Sequence, residues 1–199
     1  IYEQPSVIKD TYRGRLHANE GIVQMAGIED NLEKFLNANR ILIVACGTSW
    51  HAGLVAEYIF EEFTRIPVEV EYASEFRYRN PVINKNDLCI FISQSGETAD
   101  TLASLRKAKE KGAFTLSIVN VPYSTIARES DGVIYTNAGA EIAVATTKAF
   151  SAQLGVCYVL ASYLAHEKGL LSDDDLANFT SEILELPLKI ETSLATNEV

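Results

Sequence analysis

From Arg40 onward, two kinds of apolar pattern take turns along the chain. Short apolar runs occur in RILIVACG (40–47), VEVEYA (68–73), DLCIFIS (87–93), AFTLSIVN (113–120) and GVIYT (132–136). A brief continuous run of this kind suits a strand covered on both faces. Between the runs the spacing becomes helical: Ala52, Val55, Ala56, Ile59, Phe60 and Phe63 follow the i, i+3, i+4 period after the first run. TADTLASLRKAKEKG (98–112) predicts a helix after the third, and a long helix is predicted over about 146–167. ASEFRYR and STIARES predict shorter turns or helices. Alternation of this kind implies right-handed crossovers, so the expected fold is α/β, a doubly wound five-stranded parallel sheet flanked by helices.

The flanks read differently. Residues 5–16 and about 24–38 have the pattern of polar amphipathic helices, interrupted by Gly21 and Gly27. The 146–167 helix is apolar on nearly all sides, through Leu154, Val156, Cys157, Val159, Leu160 and Leu164. It is therefore expected to pack on the sheet and on a second surface, which a partner subunit would supply. Ser172 is the predicted N-cap of a further helix, with three aspartates in its positive first turn and Pro187 expected to end or kink it. The expected division is a helical lead-in over 1–39, the α/β domain over 40–167, and a C-terminal helix and start of a linker over 168–199.

Composition narrows the function classes. With 199 residues, 47% of them hydrophobic and 22% charged, the chain can bury a real core. Its net charge of −10 opposes nonspecific attraction to nucleic acid or an anionic membrane, so neither is an expected partner. Three separated cysteines, Cys46, Cys89 and Cys157, offer no complete disulfide framework and fit a reducing cytoplasm. No run reaches the roughly 18 apolar residues of a membrane span, and the first residues lack signal-peptide order, so a soluble, unexported protein is expected.

Two loops fall where an open parallel sheet gathers ligands, at the carboxyl ends of strands. They are CGTS (46–49) after the first strand and SQSGET (93–98) after the third. First-turn amides of a helix lack internal partners and carry its positive dipole end, favouring an anion by roughly 0.3–2 kcal/mol. Hydroxyls add more, about 1.5–3 kcal/mol for each hydrogen bond to a charged group. Ser93, Ser95 and Thr98 are thus candidate phosphate donors, with Gly96 allowing close backbone approach. The competing reading is an ordinary helix cap, which needs only one such hydroxyl. Glu97 would repel a phosphate and must point away from it.

Other chemistry is weaker. EIAVATTKAF (141–150) places Thr146, Thr147 and Lys148 at a helix start, where backbone from Val144 and Ala145 could cover a ligand; a capped helix with a solvated lysine is the alternative. CGTSWHAG lacks the G-x-G-x-x-G spacing despite Glu71 at the end of the second strand, and no P-loop run is present. Cys46 reads as a small core residue before a nucleophile, and His51 as a helix-surface residue. His17, His51 and His166 have no metal-ligand spacing to cysteine or carboxylate, and neither metal nor cofactor is expected.

Taken together, CGTSWHAG, SQSGETADT and EIAVATTKAF, with ASEFRYR and NVPYSTIARESD between them, resemble the sugar isomerase (SIS) domain family over about residues 40–165. ASEFRYR with TNAGAEIAVATTKAF narrows the resemblance to the first SIS domain in the isomerase half of its amidotransferring enzymes. The resemblance implies a Rossmann- or flavodoxin-like five-stranded parallel sheet and an enzyme that uses glutamine ammonia to convert fructose 6-phosphate to glucosamine 6-phosphate. It implies that Ser49, Ser93, Gln94, Ser95 and Thr98 bind phosphate and that Cys46, Gly47, Thr48 and Val144 line the sugar. Thr146 stands where relatives often have serine. It also implies a homodimer, and a glutaminase domain and a second SIS domain as partners, neither of which these residues contain; the second would bring the isomerisation groups. No catalytic residue is therefore assigned, and weak binding without synthesis is expected. The alternatives are a sugar-phosphate-sensing module and a stand-alone phosphosugar isomerase.

Overall fold

The computed structural model describes residues 1–17, 22–143 and 146–196. Helix α1 (Gln4–Tyr12) leads into a two-stranded antiparallel ribbon, β1 (Leu16–His17) with β2 (Ile22–Val23), and then into the short helix α2 (Leu32–Leu36). The main sheet alternates with helices: β3 (Arg40–Ala45), α3 (Gly47–Thr64), β4 (Val68–Tyr72), α4 (Ala73–Phe76), β5 (Asp87–Ser93), α5 (Ala99–Glu110), β6 (Phe114–Val119), α6 (Thr125–Glu129) and β7 (Gly132–Tyr135). Helices α7 (Lys148–Glu167) and α8 (Asp173–Ala195) follow.

The five strands β3–β7 are parallel in the order β4-β3-β5-β6-β7. The five apolar runs became these five strands; β3, β5 and β6 bury side chains on both faces, alternating along the strand, while the edge strand β4 leaves Glu69 and Tyr72 exposed. Ile41, Ile43 and Ala45 join Leu88, Ile90, Ile92, Leu116 and Ile118 in a core covered by α1, α3, α7 and α8. Leu42, Val44, Cys89, Phe91 and Val119 point the other way, under α4, α5 and α6. At the amino ends of the strands Arg40 reaches both Glu69 at 2.9 Å and Asp87 at 2.6 Å, tying β3 to its two neighbours.

Three expectations are corrected. The helix predicted over about 24–38 is a bend, a single 3-10 turn (Glu29–Asn31) and α2. Gly27 has φ 103°, and a Cβ there would lie 2.2 Å from the Val133 carbonyl oxygen, so the chain passes the edge of the sheet in a conformation no helix uses. Gly21, the other interruption, lies outside the described residues. Pro187 does not end its helix: α8 runs through it to Ala195, with Ile183 and Ile190 on either side packed on the core. Finally, the second surface under α7 is the chain's own α1 and α8, whose Ile8, Tyr12, Leu176 and Ile183 share its core. The apolar character of α7 is thereby accounted for without a second subunit. The Ser172 cap forms as expected, its Oγ accepting from the Asp175 N–H at 3.1 Å.

Candidate functional site at the strand ends

The chain leaves β3 for β4 on one side and returns past it to β5 on the other, so the order of the strands reverses between β3 and β5. A crevice forms at such a switch point because the two connections diverge to opposite faces. The loop after β3 is CGTS and the loop after β5 is SQSGET. Register pairs Ala45 with Ile92, which sets the two loops side by side.

Ser93, the last residue of β5, is buried. Its Oγ lies 3.0 Å from Thr98 Oγ1 and accepts the Gly96 N–H at 3.0 Å. The half-buried Ser95 accepts the Glu97 N–H at 3.2 Å. Gly96 turns the loop at φ 64°, and a Cβ there would stand 2.0 Å from Ser124 Oγ. Thr98 occupies the N-cap position of α5, yet neither its hydroxyl nor any other caps that helix. Helix α3 also begins without a side-chain cap, at Cys46. The hydroxyls that the cap reading would consume at α5 are gathered into the loop instead.

Two acidic side chains next to this loop, Glu97 and Asp100, are engaged elsewhere. Glu97 accepts the Thr125 N–H at 2.7 Å, and that backbone bond holds its carboxyl below the usual range. Asp100, in the first turn of α5, is paired with Arg77. Beside the loop, Gln94 shares an opening of ≈ 490 Å³ with Asn120, Asn137 and Glu141. A larger groove of ≈ 740 Å³ runs between α1 and α8, lined by Tyr2, Pro5, Tyr12, Leu184 and Pro187. It holds none of the glycine and hydroxyl loops, so the strand-end loops are the better candidate.

The remaining sequence candidates divide. Gly47 and Thr48 are exposed at the start of α3, Cys46 is half-buried, and Ser49 is buried with its Oγ accepting from Gln153 Nε2 at 3.0 Å. Val144, with Ala145, lies outside the described residues. Lys148 is not a solvated lysine: it is 9% exposed and paired with Glu3 at 2.6 Å, because α1 packs over the start of α7. Glu141 accepts the N–H groups of Thr147 and Ala149, both at 3.3 Å, so a carboxylate already sits at that helix start. His51 is exposed and packs edge-on against Trp50. Burial pushes the thiols of Cys89 and Cys157 up to about 12, which leaves them unreactive at neutral pH.

Sequence reasoning missed Gln153, Ser124 and Asn120. Asn120 accepts from Thr136 Oγ1 at 3.1 Å and Ala138 N at 2.7 Å and donates to the Gly139 carbonyl at 2.6 Å, shaping one wall of the opening. Its place in NVPYS directly after a strand was the available signal. Gln153 had none, since a polar residue in a helix ordinarily faces water.

A doubly wound α/β domain with glycine- and hydroxyl-rich loops at its switch point defines a class of ligand-binding domain. The chain belongs to the SIS domain family, which it matches over residues 34–163. It is 53% identical over 198 residues to the glutamine–fructose-6-phosphate aminotransferase (isomerizing) of Chlorobaculum tepidum, covering 100% of this chain and 32% of that protein. The enzyme of the same name from Clostridium tetani is 53% identical over 199 residues, covering 100% of this chain and 33% of that protein. Among solved structures, the C-terminal domain of glucosamine-fructose-6-phosphate aminotransferase from Francisella tularensis superposes with a TM-score of 0.88 at 40% identity, covering 96% of this chain and 56% of that one. The chain thus spans about a third of the length of the curated relatives it matches.

Proposed function

We propose that this chain is the fructose 6-phosphate-binding SIS domain of an isomerizing glutamine–fructose-6-phosphate aminotransferase, the enzyme that makes glucosamine 6-phosphate. Ser93, Gln94, Ser95 and Thr98, with Ser49, hold the phosphate; Cys46, Gly47, Thr48 and Val144 line the sugar. The observation that carries the reading is the uncapped start of α5, where three hydroxyls surround a loop from which Glu97 is turned away. Three hydrogen bonds to a phosphate, at about 1.5–3 kcal/mol each, suffice to hold it without a lysine or arginine. The identity to two enzymes of that name across the whole chain supports the sugar and the reaction.

Isomerisation needs a base within hydrogen-bond reach of the proton it moves between adjacent carbons. The two carboxylates on these loops, Glu97 and Glu141, both accept backbone N–H groups at helix starts. That engagement supports a division of labour in which this domain holds the substrate, while a second SIS domain supplies the isomerisation groups and a glutaminase domain the ammonia. The domain alone then binds sugar phosphate weakly and forms no glucosamine 6-phosphate. The cytoplasm is the compartment that suits its free thiols. Homodimerisation rests on the family resemblance alone, since α1 and α8 cover α7; a concentration-independent monomer in sedimentation removes it.

The decisive experiment is calorimetry with fructose 6-phosphate and glucosamine 6-phosphate on the wild type and Ser95→Asp. Two charges 4 Å apart near a protein surface repel by about 4 kcal/mol, so the aspartate is expected to abolish binding. Equal affinity in the two proteins refutes the assignment. Product formed from fructose 6-phosphate with ammonia or glutamine refutes the division of labour.

A further inference from the structure

Gln153 is 1% exposed in α7, among Ala149, Ala152, Val156 and Cys157. An amide so placed loses its hydration and needs a return for it. Its Nε2 donates to Ser49 Oγ at 3.0 Å across the contact between α3 and α7, and its Oε1 has no hydrogen-bond partner among the described residues. The bond joins two segments far apart in sequence and ends on a residue of the first turn of α3.

A serine hydroxyl has one hydrogen and two lone pairs. With Gln153 donating into a lone pair, the Ser49 hydrogen must leave in another direction. Ser49 makes no other hydrogen bond among the described residues, so none of their groups takes up that hydrogen. On the reading that the crevice holds a sugar phosphate, on which this step rests, we propose that Gln153 is a positioning residue. It fixes the Ser49 hydroxyl as a donor to the ligand phosphate, from behind, without touching the ligand. The buried amide thereby serves as an orienting group for a donor that would otherwise rotate freely, which lowers the entropy lost when the phosphate binds. The direction of the bond matters: an amide turned over would accept the Ser49 hydrogen and remove it from the ligand.

Calorimetry separates these cases. Fructose 6-phosphate and, separately, inorganic phosphate are titrated into the wild type, Gln153→Leu, Gln153→Glu, Ser49→Ala and the double variant Ser49→Ala/Gln153→Leu, with thermal unfolding of each. Gln153→Leu is expected to weaken both ligands by about tenfold, the scale of one hydrogen bond to a charged group, and by the same factor for each. Ser49→Ala should cost as much, and the double variant no more than either single one. Gln153→Glu, measured at a pH where its buried carboxyl is ionised, should weaken binding further, because a carboxylate can only accept and so captures the hydroxyl. If Gln153→Leu does not fold, Gln153→Met is measured in its place.

Unchanged affinity in the leucine or methionine variant overturns the inference, as does an additive loss in the double variant, which marks a structural role. Wild-type affinity in Gln153→Glu with its carboxyl ionised overturns it too, showing that the amide oxygen faces Ser49. Should the wild type bind neither ligand, the functional reading itself fails. Should Ser95→Asp abolish binding while the Ser49 and Gln153 variants bind normally, the phosphate loop stands and this inference alone falls.

Discussion

Helices α5 and α7 both follow parallel strands at the same end of the sheet, and both start beside threonines, yet their first turns differ in what occupies them. At α5, Glu97 leaves for the amide of Thr125, and the hydroxyls of Ser93 and Thr98 meet each other. At α7, Glu141 stays and accepts from Thr147 and Ala149. One start has its neighbouring Glu97 turned to another helix, and the other holds Glu141 on its own amides. On the proposed function, residue type at a helix start does not by itself decide whether an anion binds; the destination of the neighbouring carboxylate does, because one negative charge satisfies the amides and the dipole and repels a second.

The strongest way to break this contrast is at the turn that opens α5. Gly96→Ala places a methyl at φ 64° and 2.0 Å from Ser124 Oγ. Left-handed backbone costs an alanine roughly 1–2 kcal/mol, and overpacking roughly 1–3 kcal/mol more. A loss of about 2–5 kcal/mol in urea unfolding is expected, with loss of sugar phosphate binding. Ser124→Gly added to it should return the packing share and leave the backbone share. Full stability in the single variant means that the loop is not held against α6.

The next effect tests the filled start. Glu141→Ala removes the carboxylate from α7 and should cost about 0.5–1 kcal/mol, the ordinary size of a cap with its dipole term. In a domain of this size that is a fall in Tm of about 2–4 °C per kcal/mol. An unchanged Tm would show that the 3.3 Å bonds contribute nothing, and the two helix starts would then be equivalent.

What could be read from the sequence follows the same division between local and distant causes. The central strands were legible because their runs are apolar on both faces, a property of the run itself; β4, with Glu69 exposed, was legible from its place in the alternation of strands and helices. SQSGET was legible as a cluster of hydroxyls, and the direction required of Glu97 followed from charge alone; that its donor is the Thr125 N–H did not. The failed helix over 24–38 turns on Gly27 meeting Val133, a contact the local pattern cannot contain. Pro187 misled for a related reason: its local cost is real, but packing of Ile183 and Ile190 outweighs it. Gln153 was invisible because its partner arrives from another helix. Local pattern thus reveals which groups are present at the site, and tertiary packing decides which of them are free.

The smallest effect, and the finest probe of the open start, is the pH dependence carried by Glu97. Its folded carboxyl titrates below the ordinary 4.5 because the Thr125 N–H favours the charged form. A depressed folded value contributes stability above the unfolded value, and that contribution is lost as pH falls through the folded one. Wild type should therefore exceed Glu97→Gln in urea midpoint at neutral pH, and the two curves should converge as pH drops below about 4. The side chain is exposed, so the gap will be small and weakened by solvent screening. A gap that persists unchanged into acid would mean that the amide of glutamine was the poorer fit for reasons of shape. A gap absent at every pH would mean that Glu97 is not held at Thr125, removing the reason its carboxylate is kept from the proposed phosphate loop.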